Sequence, residues 1–243
     1  MNHNDIVRQS FKKQAEKFVA YHMSKVEYTD YLIQKIAATG EEHALEVAAG
    51  TCICGRALAP YVKDITCLDM TEEMLAQGIR LAEESHIENI YFQSGNAEKL
   101  PYEPETFDLV ITRLSFHHFD NPEKPFEEMK RVLKKGGKMV VWDMEAAEEP
   151  LREIDDKIEN MRDPSHTRIL SREEFEEMFK KDFALQCEET TLVPVNLKSW
   201  MELTDTSEDV QEEITNLMKA ELEGGRKTGF SPGKTAGILG QLM

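Results

Sequence analysis

The chain has 243 residues, of which 40% are hydrophobic and 31% charged, and its 46 acidic and 29 basic residues give a formal net charge of −17. This length supports one large domain whose own core stabilises it without disulfides or metal. The negative charge argues against a nucleic-acid groove and against adhesion to an anionic membrane, because both need clustered positive charge. We therefore expect a small-molecule partner, with no nucleic acid and no membrane.

The sequence contains no apolar segment typical of a membrane span or a signal peptide. No run approaches about 18 consecutive apolar residues, and the start, MNHNDIVRQSFKKQAEKF, mixes polar and apolar side chains without the short apolar core of a signal peptide. The four cysteines do not form a disulfide framework, and the Cys52-x-Cys54 pair has no second pair to complete a zinc site. We expect a cytoplasmic protein with reduced thiols and no metal.

Hydrophobic periodicity predicts that helices and short strands alternate along the first 145 residues. Residues 1–40 are predicted to be helical, with Gly40 as the C-terminal cap. A helix is predicted over Glu72–Glu84 and another over Phe126–Lys134, which Pro125 would open. Five apolar runs are predicted to be strands: His43–Ala48, Asp64–Leu68, Ile90–Gln93, Phe107–Thr112 and Lys138–Trp142.

Residues 146–243, about two fifths of the chain, show a different hydrophobic pattern. Helices are predicted over 150–162, over 172–181 with a capping box of Ser171 and Glu174, and over the acidic stretch 207–223. Two further strands are predicted, which are Ala184–Val193 and Ala236–Leu242. The whole pattern predicts an α/β fold with a doubly wound, mostly parallel, seven-stranded sheet and helices on both faces.

In doubly wound sheets, ligands bind at the carboxyl ends of the strands. The first predicted strand contains Glu46 and is followed by small residues as far as Gly50, which allow a ligand to approach the backbone closely. Asp69 ends the second strand about twenty residues later, where an acid can accept both hydroxyls of a ribose. A nicotinamide cofactor and another nucleoside both remain possible here, but the loop lacks the G-x-G-x-x-G pattern that a pyrophosphate favours.

Four segments in order carry a resemblance to a known family: LEVAAGTCICG, CLDMTEEML, GNAEKLPYEPETFDLV and SFHHFDNPEKPFEEMKRVLKKGGKMVV. They resemble the class I S-adenosylmethionine-dependent methyltransferases, and more narrowly the type 11 group, which includes ubiquinone and menaquinone biosynthesis methyltransferases. The resemblance covers about residues 40–145 and is weaker as far as about residue 180. It implies a Rossmann-like methyltransferase fold and S-adenosyl-L-methionine as the cofactor.

The first motif of the family is an acid followed by three glycines at alternate positions. It falls on Glu46, Ala48, Gly50 and Cys52. The resemblance implies that Glu46 faces the ammonium of the methionine part and that Gly50 lines the loop. Ala48 and Cys52 depart from the family pattern, and Cys52 leaves the local geometry of the loop open.

The resemblance also assigns the rest of the cofactor site. It implies that Asp69 binds the ribose and that Met70 packs on the adenine. Asn96-Ala97 takes the place of the family's Asp-Ala, and the Asn amide oxygen can still accept a hydrogen bond from the adenine amino group. Arg113 begins a segment that would run past the methionine part.

Two polar segments are candidates for contact with the methyl acceptor. His117 is the candidate catalytic base, because a histidine titrates near neutral pH, and its neighbour His118 is a candidate substrate contact. In the segment MRDPSHTR, which uncharacterised bacterial members of the group share, the candidate substrate contacts are Arg162, His166 and Arg168. The alternatives are core packing or contact with the cofactor for the histidines and a surface turn for the segment.

These features predict methyl transfer from S-adenosylmethionine to a small molecule by in-line displacement. Two alternatives stay open, a nicotinamide-dependent oxidoreductase and a non-catalytic S-adenosylmethionine-binding regulator. Within a single domain spanning 1–243, we expect residues 1–40 to form a helical lid, 41–145 to bind the cofactor and 146–243 to shape the substrate site.

Overall fold

The structure, a computed structural model, describes residues 2–20, 26–230, 232 and 237–242 and divides into two compact units. The first, the sheet unit, comprises the described parts of Phe11–Ser115 and Asn121–Val141. The second, the helical unit, comprises the described parts of Met1–Ser10, Phe116–Asp120 and Trp142–Met243. Among the described residues, no helix has the length and apolar character needed to span a membrane.

The described residues form nine α-helices and seven strands. The helices are α1 His3–Ala20, α2 Val26–Ile36, α3 Ile53–Leu58, α4 Glu72–Glu84, α5 Glu123–Val132, α6 Arg152–Arg162, α7 Arg172–Phe179, α8 Leu197–Leu203 and α9 Glu208–Leu222. The strands are β1 His43–Val47, β2 Asp64–Asp69, β3 Ile90–Ser94, β4 Phe107–Arg113, β5 Leu133–Trp142, β6 Thr191–Asn196 and β7 Gly237–Leu242. Short 3-10 helices cover Ala59–Tyr61 and Phe116–His118.

The main sheet has five strands in the order β3-β2-β1-β4-β5. Strand β1 runs parallel to β2 and to β4, and β2 runs parallel to β3. The chain leaves β1 toward β2 on one side and later returns to β4 on the other side, so the strand order reverses beside β1. The carboxyl end of β1 is therefore the place where this class of sheet binds ligands.

The buried residues explain why these elements form. Strand β1 is buried over its last four residues, as expected for a strand that is covered on both faces. Helix α4 buries a stripe at helical spacing, which consists of Met74, Leu75, Gly78 and Ala82. Helix α7 begins with the predicted capping box, in which the Ser171 side chain accepts from the Glu174 N–H and the Glu174 side chain accepts from the Ser171 N–H.

The prediction of a seven-stranded sheet is wrong. Strands β6 and β7 pair with each other as a separate antiparallel ribbon, in which Thr191 lies opposite Leu242. The strand predicted over Ala184–Val193 starts only at Thr191. In β6, Val193 and Val195 are buried while Pro194 is exposed, so this alternation identifies a strand with one covered face but does not identify its partner.

Two predicted helix ends are also corrected. The N-terminal helical region ends at Ile36 rather than near Gly40, and Ala37 adopts the left-handed conformation with φ 47° immediately after it. Helix α5 begins at Glu123, so Pro125 is the third residue of its first turn rather than the residue that opens it. Its missing N–H is tolerated there because the first four N–H groups of a helix have no intrahelical partner. Residues 21–25 of the predicted N-terminal helix and Ala236 of the last predicted strand lie outside the described residues.

Candidate active site

The carboxyl ends of three neighbouring strands meet at Asp69, the last residue of β2. Its carboxylate accepts a hydrogen bond from the N–H of Gly50, in the loop after β1, at 2.7 Å from Oδ2. Its main-chain oxygen accepts from the N–H of Gly95, in the turn after β3, at 3.0 Å. The sheet thus brings the predicted ribose acid together with the loops that hold Gly50 and Asn96.

The Asp69 carboxylate is held in one orientation by the backbone. Oδ1 accepts from the N–H of Thr71 at 2.8 Å, and Oδ2 accepts from Gly50. These hydrogen bonds fix the carboxylate, and a carboxylate oxygen can accept more than one hydrogen bond. Burial raises the pKa of Asp69 above its ordinary value, although the N–H groups of Thr71 and Gly50 act in the opposite direction.

Glu46 lies on β1 and is almost completely buried, with 2% of its surface exposed. Its carboxylate faces the start of α3, where Oε2 accepts from the Gly55 N–H at 2.7 Å and Oε1 accepts from the Cys54 N–H at 3.3 Å. The Cys67 thiol donates to Oε2 at 3.4 Å. Burial raises the pKa of Glu46 to about 7, although these N–H groups lower it.

A raised pKa on a buried acid makes stability depend on pH. Glu46 has a folded pKa of about 7 against an ordinary 4.5, so its contribution is complete below pH 4.5 and is lost as the pH rises through 7. We expect Glu46→Gln to gain roughly 2–3 kcal/mol in unfolding free energy relative to the wild type between pH 5 and pH 8. Urea titrations at both pH values measure the difference, and a constant difference would contradict the ionisation of Glu46 in this range.

The loop after β1 has a left-handed residue at every second position. The φ angles of Ala48, Gly50 and Cys52 are 53°, 53° and 57°. These are the three positions where the family motif has glycine, so the backbone keeps the glycine conformation although two of the residues are not glycine. The helix-interior residue Gly78 leaves room for Cys52, because a Cβ on Gly78 would lie 2.7 Å from Cys52 Sγ.

A glycine at position 48 tests whether the left-handed backbone of Ala48 is strained. We expect Ala48→Gly to raise the unfolding free energy by about 0.5–1 kcal/mol, because it removes a left-handed penalty of roughly 1–2 kcal/mol and adds less than that in unfolded-state entropy. Thermal unfolding should show a gain of about 2–4 °C per kcal/mol. The same substitution inside α3, Ala57→Gly, is the control and should lower stability; a loss at both positions would contradict the strain.

The other predicted cofactor residues lie in the sheet unit too. Met70 follows Asp69 directly and is half-buried, and Arg113 ends β4. Asn96 is half-buried, and its Oδ1 accepts from the Glu98 N–H at 2.8 Å, so the amide oxygen already stabilises a turn. Ala97 is buried.

The predicted catalytic residue, His117, lies in the helical unit and forms a buried pair. Its Nδ1 lies 2.5 Å from Oδ1 of Asp143, and the two side chains are 7% and 1% exposed. Burial alone would lower the pKa of His117, but the charge and the hydrogen bond of Asp143 raise it above its ordinary value. Asp143 was not among the predicted site residues, although its position directly after β5 follows the same strand-end rule that identified Asp69.

The histidines predicted for the substrate lie beside His117. The ring centroids of His118 and His166 are 4.2 Å and 5.7 Å from that of His117. Nδ1 of His118 lies 3.0 Å from the main-chain oxygen of Ser165, and burial lowers the pKa of His118 to about 3. Nε2 of His166 lies 3.1 Å from Oδ1 of Asp156.

The two arginines predicted for the substrate already have carboxylate partners. Arg162 is buried, donates to Oε2 of Glu159 at 2.8 Å, and lies over the Trp200 ring at 4.5 Å from its centroid. Arg168 is exposed and donates to Glu174 at 2.6 Å. The structure therefore groups Arg162 with the buried core of the helical unit and leaves Arg168 on the surface.

Comparisons with known proteins identify the family of this chain. A family model described as a methyltransferase domain matches residues 45–141. The uncharacterized methyltransferase YcgJ of Bacillus subtilis is 32% identical over 199 residues, which cover 81% of this chain and 79% of the relative. The chain belongs to the type 11 group of class I methyltransferases. It is therefore a methyltransferase rather than a nicotinamide-dependent oxidoreductase.

Solved structures support the same fold. The crystal structure of YcgJ has a TM-score of 0.79 and 27% identity to this methyltransferase, covering 89% of it and 95% of that chain. The crystal structure of a putative methyltransferase from Bacillus halodurans has a TM-score of 0.78 and 25% identity, covering 88% of this chain and 95% of that chain.

A demethylmenaquinone methyltransferase of Alkalihalophilus pseudofirmus is a relative in sequence over a shorter segment. It is 35% identical over 102 residues, which is 41% of this chain and 43% of the relative.

Proposed function

We propose that this methyltransferase transfers the methyl group of S-adenosylmethionine to a small-molecule acceptor. The observation that supports the cofactor is the Asp69 carboxylate, which the N–H groups of Gly50 and Thr71 fix at the end of β2, next to the strand beside which the order reverses. A ribose presents two neighbouring hydroxyl donors, so it matches this arrangement.

The acidic side chains beside the loop after β1 favour a nucleoside with a sulfonium group over one with phosphates. Glu46 and Asp69 both accept hydrogen bonds from the backbone between Gly50 and Gly55, which places two acidic side chains beside the loop. S-adenosylmethionine has a positive ammonium and a positive sulfonium but no phosphate, whereas a pyrophosphate would be repelled. We assign the ammonium to the side of Glu46, directly or through water, and the ribose to Asp69.

The remaining residues of the sheet unit would enclose the nucleoside and the methionine part. We propose that Met70 packs on the adenine face and that Asn96 and Ala97 lie at its edge. Ala48 and Gly50 would line the loop, while Arg113 would lie along the methionine part.

When bound, the cofactor supplies an electrophilic methyl carbon on a positively charged sulfur. The protein then has to align the acceptor and exclude water, and such positioning contributes on the order of 7–11 kcal/mol at best. We propose His117 as the general base for an acceptor that loses a proton. Residues 41–145 would bind the cofactor, 146–243 would shape the substrate site, and 1–40 would act as its lid.

We propose a neutral, aromatic acceptor. Demethylmenaquinone methyltransferases are among the relatives, which favours a quinol-like molecule. We also assign the acceptor contacts to His118, His166, Arg162 and Arg168. Because Glu159 and Glu174 already neutralise the two arginines, an anionic acceptor would have to compete with them.

Calorimetric titration tests the proposed cofactor. We expect one molecule of S-adenosylmethionine to bind per chain and NAD to give no binding heat. Transfer of a labelled methyl group to reduced demethylmenaquinone, or to a component of a cell extract, then tests catalysis. Binding of NAD but not S-adenosylmethionine would overturn the cofactor assignment, and binding without any labelled product would indicate a non-catalytic regulator.

A further inference from the structure

Asp143, directly after β5, has every contact needed to hold a histidine in one orientation. Its Oδ2 accepts from the Phe116 N–H at 2.7 Å, and its Oδ1 accepts from the Met144 N–H at 2.8 Å. The same Oδ1 lies 2.5 Å from Nδ1 of His117. Only 1% of the Asp143 side chain is exposed. Backbone N–H groups hold both of its oxygens, independently of the contact with the imidazole.

We propose that Asp143 is a positioning residue that fixes the His117 imidazole with its proton on Nδ1, so that Nε2 takes a proton from the methyl acceptor. The inference rests on the proposed function for the source of that proton. The geometry of the pair itself is independent of any cofactor.

The hydrogen bond determines which nitrogen is basic. An ionised carboxylate only accepts hydrogen bonds, so Nδ1 of His117 must be the donor and Nε2 of the neutral ring must carry the lone pair. Within the part of the chain that the structure describes, Nε2 makes no hydrogen bond, whereas the main-chain oxygen of His117 accepts from both the N–H and the hydroxyl of Thr167. The ring is thus held at one nitrogen and left open at the other.

Several charged or titratable groups face His117 in the helical unit, and they are Asp143, Glu159, Arg162, His118 and His166. Asp143 and Glu159 favour the imidazolium, while Arg162 opposes it. Because the pKa of His118 is lowered to about 3 by burial and by the neighbouring His117, its ring stays neutral near pH 7 and does not compete for the proton. Of the two adjacent histidines, His117 is therefore the proton acceptor.

This arrangement narrows the class of acceptor to molecules whose nucleophilic atom carries a proton, such as a phenolic hydroxyl, an N–H group or an acidic carbon. The acceptor atom forms a bond to the methyl carbon while the bond from that carbon to sulfur breaks, with both electrons staying on sulfur. The proton of the acceptor moves to Nε2 of His117, and Asp143 stabilises the resulting imidazolium. A tertiary amine or a thioether has no such proton and would not need the pair.

Nitrogen NMR of the ¹⁵N-histidine-labelled protein tests the proposal without any substrate. We expect neutral His117, assigned with His117→Gln, to carry its proton on Nδ1 and to titrate above 6.5. In Asp143→Asn the Nδ1 preference should be lost and the pKa should fall by at least about one unit. Asp143→Glu should retain the wild-type tautomer, and Asp156→Asn, which removes the partner of His166 in the same unit, should leave His117 unchanged.

A wild-type His117 that is protonated on Nε2 when neutral would overturn the proposal, whether or not the variants fold. An unchanged tautomer and pKa in folded Asp143→Asn would overturn it as well. In turnover with labelled S-adenosylmethionine and reduced demethylmenaquinone, we expect Asp143→Asn to lower kcat by at least about a hundredfold and to leave the KM for S-adenosylmethionine unchanged. Failure of the wild type to bind S-adenosylmethionine would instead refute the proposed function and would not alter the NMR result.

Discussion

Asp69→Ala is expected to weaken the binding of S-adenosylmethionine by at least about a hundredfold. The substitution removes the two hydrogen bonds that the ribose hydroxyls would donate to the Asp69 carboxylate. Hydrogen bonds to a charged acceptor contribute about 1.5–3 kcal/mol each, and each 1.4 kcal/mol corresponds to roughly a factor of ten in affinity. It also leaves the N–H groups of Gly50 and Thr71 without their acceptor, which loosens the loop that would surround the nucleoside. Isothermal titration calorimetry at constant pH measures the change.

Asp64→Ala is the matched control for this prediction. Asp64 begins the same strand that Asp69 ends, and its carboxylate lies 2.9 Å from Nδ1 of His43 at the opposite edge of the sheet. Its loss should leave the affinity unchanged. Wild-type affinity in a folded Asp69→Ala protein would exclude Asp69 as the ribose ligand, and equal weakening in both variants would point to a general loss of structure.

Gly55→Ala is expected to lower the unfolding free energy by about 3–5 kcal/mol. A Cβ at this position would lie 2.8 Å from Oε2 of Glu46 and would overlap Cys67 Sγ. Overpacking of this kind costs about 1–3 kcal/mol, and disturbing the hydrogen bond to a buried carboxylate costs roughly 1–3 kcal/mol more. Urea unfolding of the wild type and the variant measures the loss.

A double-mutant cycle with Cys67→Ala identifies the cause of that loss. If the overlap with the sulfur is responsible, Gly55→Ala should cost at least about 1 kcal/mol less in the Cys67→Ala background, because contacting residues couple by about 0.5–3 kcal/mol. Additive effects would show that the thiol does not limit the space at Gly55. A stable Gly55→Ala protein would contradict the packing of α3 against Glu46.

The sequence predicts the parts of the fold that depend on local pattern. The apolar runs give the five strands of the main sheet, and the position of Asp69 after the second of them predicts its place beside Gly50. The helix over Glu72–Glu84 is predicted with the bounds that the structure has. These predictions succeed for the same reason. The period of a helix or strand, and the position where a strand ends, depend only on residues that are close together in the sequence.

Features that depend on pairing between distant segments are harder to predict. The polar, β-prone stretch before Val193 predicts a strand, but only the structure shows that β6 pairs with β7 rather than joining the main sheet. Asp143 and His117 are similarly distant in sequence, and their pairing depends on the backbone between them. In contrast, the pairing of Arg162 with Glu159 follows ordinary i, i+3 helix spacing, so it was open to prediction from the sequence.

The loop after β1 shows how the family motif can change without changing its backbone. Ala48 and Cys52 keep the left-handed angles that glycine would adopt more easily. Gly78 in α4 then provides the space that the larger Cys52 side chain needs. The family motif has glycine at both positions, whereas this chain keeps left-handed backbone there with larger residues, and Gly78 leaves the space that one of them needs.

A crystal structure of this methyltransferase with S-adenosylhomocysteine tests the central claim most directly. We expect both ribose hydroxyls within hydrogen-bonding distance of the Asp69 carboxylate, with the amino group of the homocysteine part on the side of Glu46. A nucleoside bound away from the ends of β1 and β2, with the Asp69 carboxylate in contact only with Gly50 and Thr71, would contradict the account.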